Sequence, residues 1–102
     1  MIYVTVSYQV SPEFVEQNKS NIEKFLRDFE QLDNSKFTYS VFVKDDGVTF
    51  VHRSNYKNES IQKELLNVPS FLEFQKERDE SGLNNTHHVD VLTLVGSTQT
   101  LI

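Results

Sequence analysis

A single histidine on an otherwise apolar strand is the side chain best suited to chemistry in this chain. His52 shares its strand face with Val48 and Phe50. An imidazole with an ordinary pKa near 6.5 could act as a general base toward a phenol or quinol. The same position also suits a half-buried ring whose nitrogens bond to neighbours, so both roles are carried forward. Tyr8 and Tyr39 sit on apolar strand faces too, and a buried tyrosine hydroxyl needs a partner. They could orient a substrate oxygen, or serve as ordinary tyrosines at the edge of the core. Arg78 follows Phe71 by seven residues and Phe74 by four, which sets it on their helix face, where it could hold an anionic ligand.

Other combinations are weaker. His87 and His88 are adjacent on a strand and point to opposite faces, so together they cannot ligate one ion. No metal-ligand spacing, glycine-rich phosphate loop or nucleophile elbow is present, and no metal or cofactor is expected. The absence of cysteine excludes thiol catalysis and disulfides.

The elements that must carry these residues follow from periodicity. Alternation predicts a strand over Ile2 to Val10, with Ile2, Val4, Val6, Tyr8 and Val10 on one face. Ser11-Pro12-Glu13 then opens a helix, with Ser11 as its side-chain cap. Phe14, Asn18, Ile22, Phe25, Leu26, Phe29 and Leu32 form its apolar stripe, interrupted by Asn18. Lys36 to Arg53 reads as a hairpin turning at Asp46-Gly47, which would set Val43 opposite Phe50 and Val41 opposite His52. Two short helices follow, Asn58 to Leu66 and a second starting at Pro69, then a strand from His88 to Val95. The tail is Gly96 to Ile102.

The order βαββαβ predicts one α+β domain over residues 1–102. Its plan is ferredoxin-like: a four-stranded antiparallel sheet with helices on one face. The other sheet face carries Tyr3, Phe42 and Val51 among polar residues, and a second copy packed sheet to sheet would cover them. On that face Arg53 and Asp90 could pair across the interface. The net charge of −5 argues against nucleic acid and anionic membranes as partners. The longest apolar run is far shorter than a bilayer span. The first ten residues lack the pattern of a signal peptide, and a cytoplasmic location is expected.

Three segments resemble the antibiotic-biosynthesis-monooxygenase domains of the dimeric α/β-barrel superfamily. They are Val41 to Arg53 (VFVKDDGVTFVHR), the helix start at Pro69 to Phe74 (PSFLEF) and Leu92 to Ser97 (LTLVGS). The resemblance implies a homodimer whose two sheets close into a barrel, with a pocket between sheet and helices in each subunit. Tyr39, His52, Phe50, Phe71 and Phe74 would line that pocket, and Arg78 would stand at its rim. It further implies a cofactor-independent monooxygenase or isomerase acting on a small aromatic or quinone-like compound. No catalytic residue carries over from the family, and the proton acceptor expected from this chain's own residues is His52. The alternative within the same fold is a non-catalytic dimer that binds a small apolar or aromatic molecule. Haem-degrading and quinol-oxidising members both use a tryptophan, and this chain has none.

Overall fold

In the computed structural model, which describes residues 1–100, the strands are β1 (Ile2–Gln9), β2 (Phe37–Val43), β3 (Thr49–Tyr56) and β4 (His88–Leu92). The helices are α1 (Val15–Phe29), α2 (Glu59–Leu66) and α3 (Pro69–Glu80). The strands form one antiparallel sheet in the order β2-β3-β1-β4. The helices lie on one face, so the ferredoxin-like α+β plan is the observed one. The end of the tail, residues 101 and 102, lies outside the described residues.

Register confirms the side-chain faces. Val6 pairs with His52 and Tyr8 with Phe50 across β1 and β3, while Val41 pairs with His52 and Val43 with Phe50 across β2 and β3. Because directly opposed residues share a face, these side chains all point toward the helices. α1 contributes Asn18, Ile22, Phe25 and Phe29 from one stripe, and α3 contributes Ser70, Phe71, Phe74 and Arg78. Between the layers lies a core dominated by aromatic rings, including Tyr8, Phe25, Phe29, Phe37, Phe50 and Phe74. Aromatic burial on this scale lets a small domain hold together without cross-links.

Several local expectations change. The hairpin does not turn on a two-residue Asp46-Gly47 loop. Gly47 N–H closes a turn on the Lys44 carbonyl at 2.9 Å, and the strands resume where Lys44 N–H meets the Thr49 carbonyl. Gly47 takes the left-handed conformation (φ 77°) that glycine tolerates without strain. The Asp46 carboxylate accepts from Val48 N–H, Thr49 N–H and the Thr49 hydroxyl, which stabilises the longer loop. Since Lys44 still faces Thr49, the pairing beyond the loop is as expected.

Ser11 makes no side-chain cap. A short 3-10 turn at Pro12–Phe14 intervenes before α1, and the Ser11 carbonyl accepts from Phe14 N–H instead. Asn58 does cap α2, accepting from Ile61 N–H. β3 runs on to Tyr56, whose ring is buried. β4 ends at Leu92, short of Val95, because it is an edge strand that pairs only with β1 from Tyr3 to Ser7. Val89 and Val91 point to the helix side yet remain exposed, as the helices leave that edge largely uncovered.

Candidate functional site

A cleft of about 230 Å³ opens between the sheet and the α2–α3 layer. Tyr39, His52, Phe71, Phe74 and Arg78 border it, brought together from two strands and one helix. Phe50 does not border it. Its ring is buried behind Tyr8, stacked at 5.7 Å between centroids. Gln62, Gln75 and His87 add polar groups to the rim, and among the described residues no aspartate or glutamate lines the cleft. Sites for drug-sized ligands are usually about 300–1,000 Å³, so a smaller molecule of one or two rings fits this one.

Behind the cleft runs a chain of buried hydrogen bonds that joins four elements, α1, β1, β3 and β2. Asn18 Nδ2 donates to the Tyr8 hydroxyl at 3.0 Å. Tyr8 Oη lies 2.8 Å from His52 Nε2, and His52 Nδ1 lies 2.8 Å from Tyr39 Oη. Asn18 is fully buried and His52 is 2% exposed. Tyr39 is only partly buried and forms the end of the chain that meets the cleft.

Burial sets the protonation states. It pushes the His52 pKa down to about 3, and the neighbouring Arg78 cation adds to the effect. The imidazole is therefore neutral at physiological pH. Both its nitrogens are already engaged, which leaves no free lone pair for a substrate proton. Burial also raises Tyr8 to about 12, against the opposing effects of the Asn18 hydrogen bond and the Arg78 charge. Tyr39 is held well above the usual phenol range, again chiefly by burial. Both tyrosines stay protonated and act as neutral hydrogen-bonding groups.

Arg78 is the charged group of the site. It is 7% exposed, and its guanidinium carbon lies 5.3 Å from the ring centroids of both Tyr8 and Phe74. Such contacts favour a desolvated cation. Nε–H donates to Asp79 Oδ1 at 3.0 Å, and the Nη groups have no partner among the described residues. Its place in the last turn of α3 is also favourable for a cation, because the helix dipole is negative there.

Asn18 was missed as a member of the site, although one signal pointed to it. A polar residue inside an apolar helical stripe must find a partner when buried. Its partner, Tyr8, was recognised only as a hydroxyl in need of one. The adjacent histidines separate as expected. His87 reaches the rim of the cleft, while His88 Nε2 contacts Asp90 Oδ1 at 3.1 Å on the exposed edge. Among the described residues, no group of three or more metal-ligating side chains comes together, and no helix is long and apolar enough to cross a membrane.

No family model matches the sequence, and no curated protein matches it either. Solved structures do. One is an antibiotic biosynthesis monooxygenase, 13% identical, with a TM-score of 0.79 over 94% of this chain and 100% of the other. Rv0793 from Mycobacterium tuberculosis is 16% identical, with a TM-score of 0.79 over 96% and 98% of the two chains. A Nitrosomonas europaea protein, provisionally assigned as an antibiotic biosynthesis monooxygenase, is 12% identical, with a TM-score of 0.78 over 94% and 100%. At these identities the likeness is one of fold. The chain has the ferredoxin-like architecture of such domains along nearly its whole length.

Proposed function

We propose that the cleft binds a small aromatic compound of one or two rings through an oxyanion, the phenolate or enolate of a quinone-like molecule. The observation that carries this reading is the convergence of Tyr39 and Arg78 on an aromatic-walled cleft lined, among the described residues, by no carboxylate. A hydroxyl donor and a desolvated cation stabilise negative charge where water is excluded. The structural neighbours' names suggest a reaction class, cofactor-independent monooxygenation, as an analogy of fold. In it a bound phenolate would react with dioxygen. One oxygen atom enters the ring as a carbonyl, and the other leaves as water with the two hydrogens the phenol loses. On this reading His52 holds Tyr39 in place, and the substrate proton departs to solvent on binding. A binding protein without turnover is the second reading, favoured by how dry and fully bonded His52 is. Only the first consumes dioxygen in step with product.

Binding is tested with 4-nitrophenol, whose phenolate is coloured. Its pKa should fall on binding by about one unit, equivalent to roughly 1.4 kcal/mol of preference for the anion. Arg78→Met should abolish most of the shift. A bound nitrophenol whose pKa stays put or rises would refute the oxyanion site.

The proposal includes a homodimer formed through the open sheet face. Phe42, 52% exposed, and Leu92 lie on that face with Tyr3 and Val51. Arg53 and Asp90 flank Thr5 there, each paired to it from a different strand. An isologous contact would bury the apolar residues and let each arginine meet the other subunit's aspartate. Light scattering should give twice the 11.9 kDa chain mass at micromolar concentration, and Phe42→Asp should give the monomer. A monomeric wild type would overturn this part.

A further inference from the structure

The buried hydrogen-bond chain has a direction, and its closed end determines it. A neutral imidazole carries one proton, on Nδ1 or on Nε2, and a tyrosine hydroxyl has one proton to give. If the proton sat on Nε2, the Tyr8 oxygen would accept from both His52 and Asn18. The Tyr8 proton would then have no acceptor, in a residue 1% exposed. With the proton on Nδ1, Tyr8 donates to Nε2 and accepts from Asn18, so the Tyr8 hydroxyl proton has its acceptor. Nδ1–H then donates to the Tyr39 oxygen. The hydroxyl proton of Tyr39 is the one left over, at the open end of the chain, where Tyr39 borders the cleft beside His52.

The Asn18 amide is oriented to the same effect. Its Oδ1 is buried without a partner, while Nδ2 serves Tyr8. Turned over, the amide would offer Tyr8 an acceptor and reverse the chain. It would also leave both N–H groups of the amide without acceptors, where one N–H and the carbonyl oxygen now lack partners. Buried unpaired N–H groups are rarer than under-satisfied carbonyls.

We infer that Asn18 is a positioning residue: by offering Tyr8 a donor, it holds His52 as the Nδ1–H tautomer and makes Tyr39 a one-way donor into the cleft. Asn18 lies two hydrogen-bonded partners, Tyr8 and His52, away from Tyr39 and does not itself border the cleft. The consequence is selectivity for a ligand oxygen that accepts, such as a phenolate, enolate or carbonyl. That consequence rests on the oxyanion reading of the cleft, whereas the tautomer belongs to the ligand-free protein.

The experiment is ¹⁵N NMR of the histidine side chains in the ligand-free protein at neutral pH, with His52 identified by its loss in His52→Gln. The expected result is a protonated Nδ1 and a bare, hydrogen-bond-accepting Nε2. A protonated Nε2 overturns the inference. Asn18→Asp replaces the donor with an acceptor of the same shape and should move the proton to Nε2. An unchanged tautomer in a folded Asn18→Asp protein would also overturn it. Should that variant not fold, the wild-type tautomer decides alone, since Nε2–H would show Tyr8 facing an acceptor. The Nδ1–H tautomer without any binding of 4-nitrophenolate would support the chain's direction and sink the ligand reading. Tight binding with Nε2–H would do the reverse.

Discussion

Acidifying the protein from pH 6.5 toward pH 3 should remove up to roughly 4–5 kcal/mol of stability through His52. The folded ring resists protonation until about pH 3, whereas in the unfolded chain it takes up a proton near its ordinary pKa of 6.5. Between those values the unfolded state binds more protons, so each unit of acidification favours unfolding by up to about 1.4 kcal/mol. Above pH 6.5 both states are neutral and the contribution is flat. Below about pH 3 both are protonated and the loss is complete. A domain of this size has about 5–15 kcal/mol in total, so the effect is large. His87 is depressed as well, mainly by burial, and acts in the same direction. The Asp33 and Asp46 carboxylates are held below their usual pKa by local hydrogen bonds, so they contribute only at lower pH. Urea unfolding at pH 7 and pH 4.5 should therefore show a steep loss in the wild type and a shallow one in His52→Gln. Parallel losses in the two proteins would show that His52 is not the buried neutral group described here.

Phe25→Ala should cost about 3–5 kcal/mol, the range for truncating a buried phenylalanine. The ring is 0% exposed and meets Phe74 at 4.9 Å, Phe71 at 5.0 Å and Phe29 at 5.1 Å between centroids. It also stacks on His52 at 6.2 Å and meets Tyr39 edge-on at 5.5 Å. The void would lie between the two helices and the hydrogen-bonded chain, so the variant should lose order in the cleft along with stability. Packed aromatic clusters relax only partly around a deletion, which is why the cavity adds to the lost transfer energy. Equilibrium denaturation measures the loss. A cost below about 1 kcal/mol would mean that the rings repack freely and do not form the described core.

Much of the fold was legible because strand alternation and helix periodicity are local. Val4, Val6 and Val41 on one face, and Phe42 and Val51 on the other, follow from counting by twos. Pro69 marked the start of α3 because proline fits the first helical position and no later one. The loop between β2 and β3 was misjudged in form, since Asp46 can cap a longer turn that ends with the same pairing. The end of β4 was overestimated because alternation continues past Leu92, where the partner strand no longer supplies pairs.

The site was legible in its parts and not in its connections. Tyr39, His52, Phe71, Phe74 and Arg78 were all picked out, and they do surround one cleft. No local pattern could show that Tyr8 bonds to a ring 44 positions away, or that Asn18 closes the chain from another element. Arg78 was expected at the rim of the pocket. Its burial against Tyr8 and Phe74 depends on how α3 lies over the sheet, which is a tertiary fact. The same connections alter what His52 is suited to do. A free imidazole on an apolar strand suggests a base, whereas one bonded at both nitrogens and kept dry serves to orient its neighbours.

The central claim is that the cleft holds an aromatic oxyanion at Tyr39 beside Arg78. The most direct test is a crystal structure of the protein with 4-nitrophenol at a pH where the free compound is ionised. The account predicts the ring in the cleft against Phe71 and Phe74, with the phenolate oxygen within hydrogen-bond distance of Tyr39 Oη. A nitrophenol bound only on the open sheet face, or seated in the cleft with its oxygen turned away from Tyr39, would contradict it.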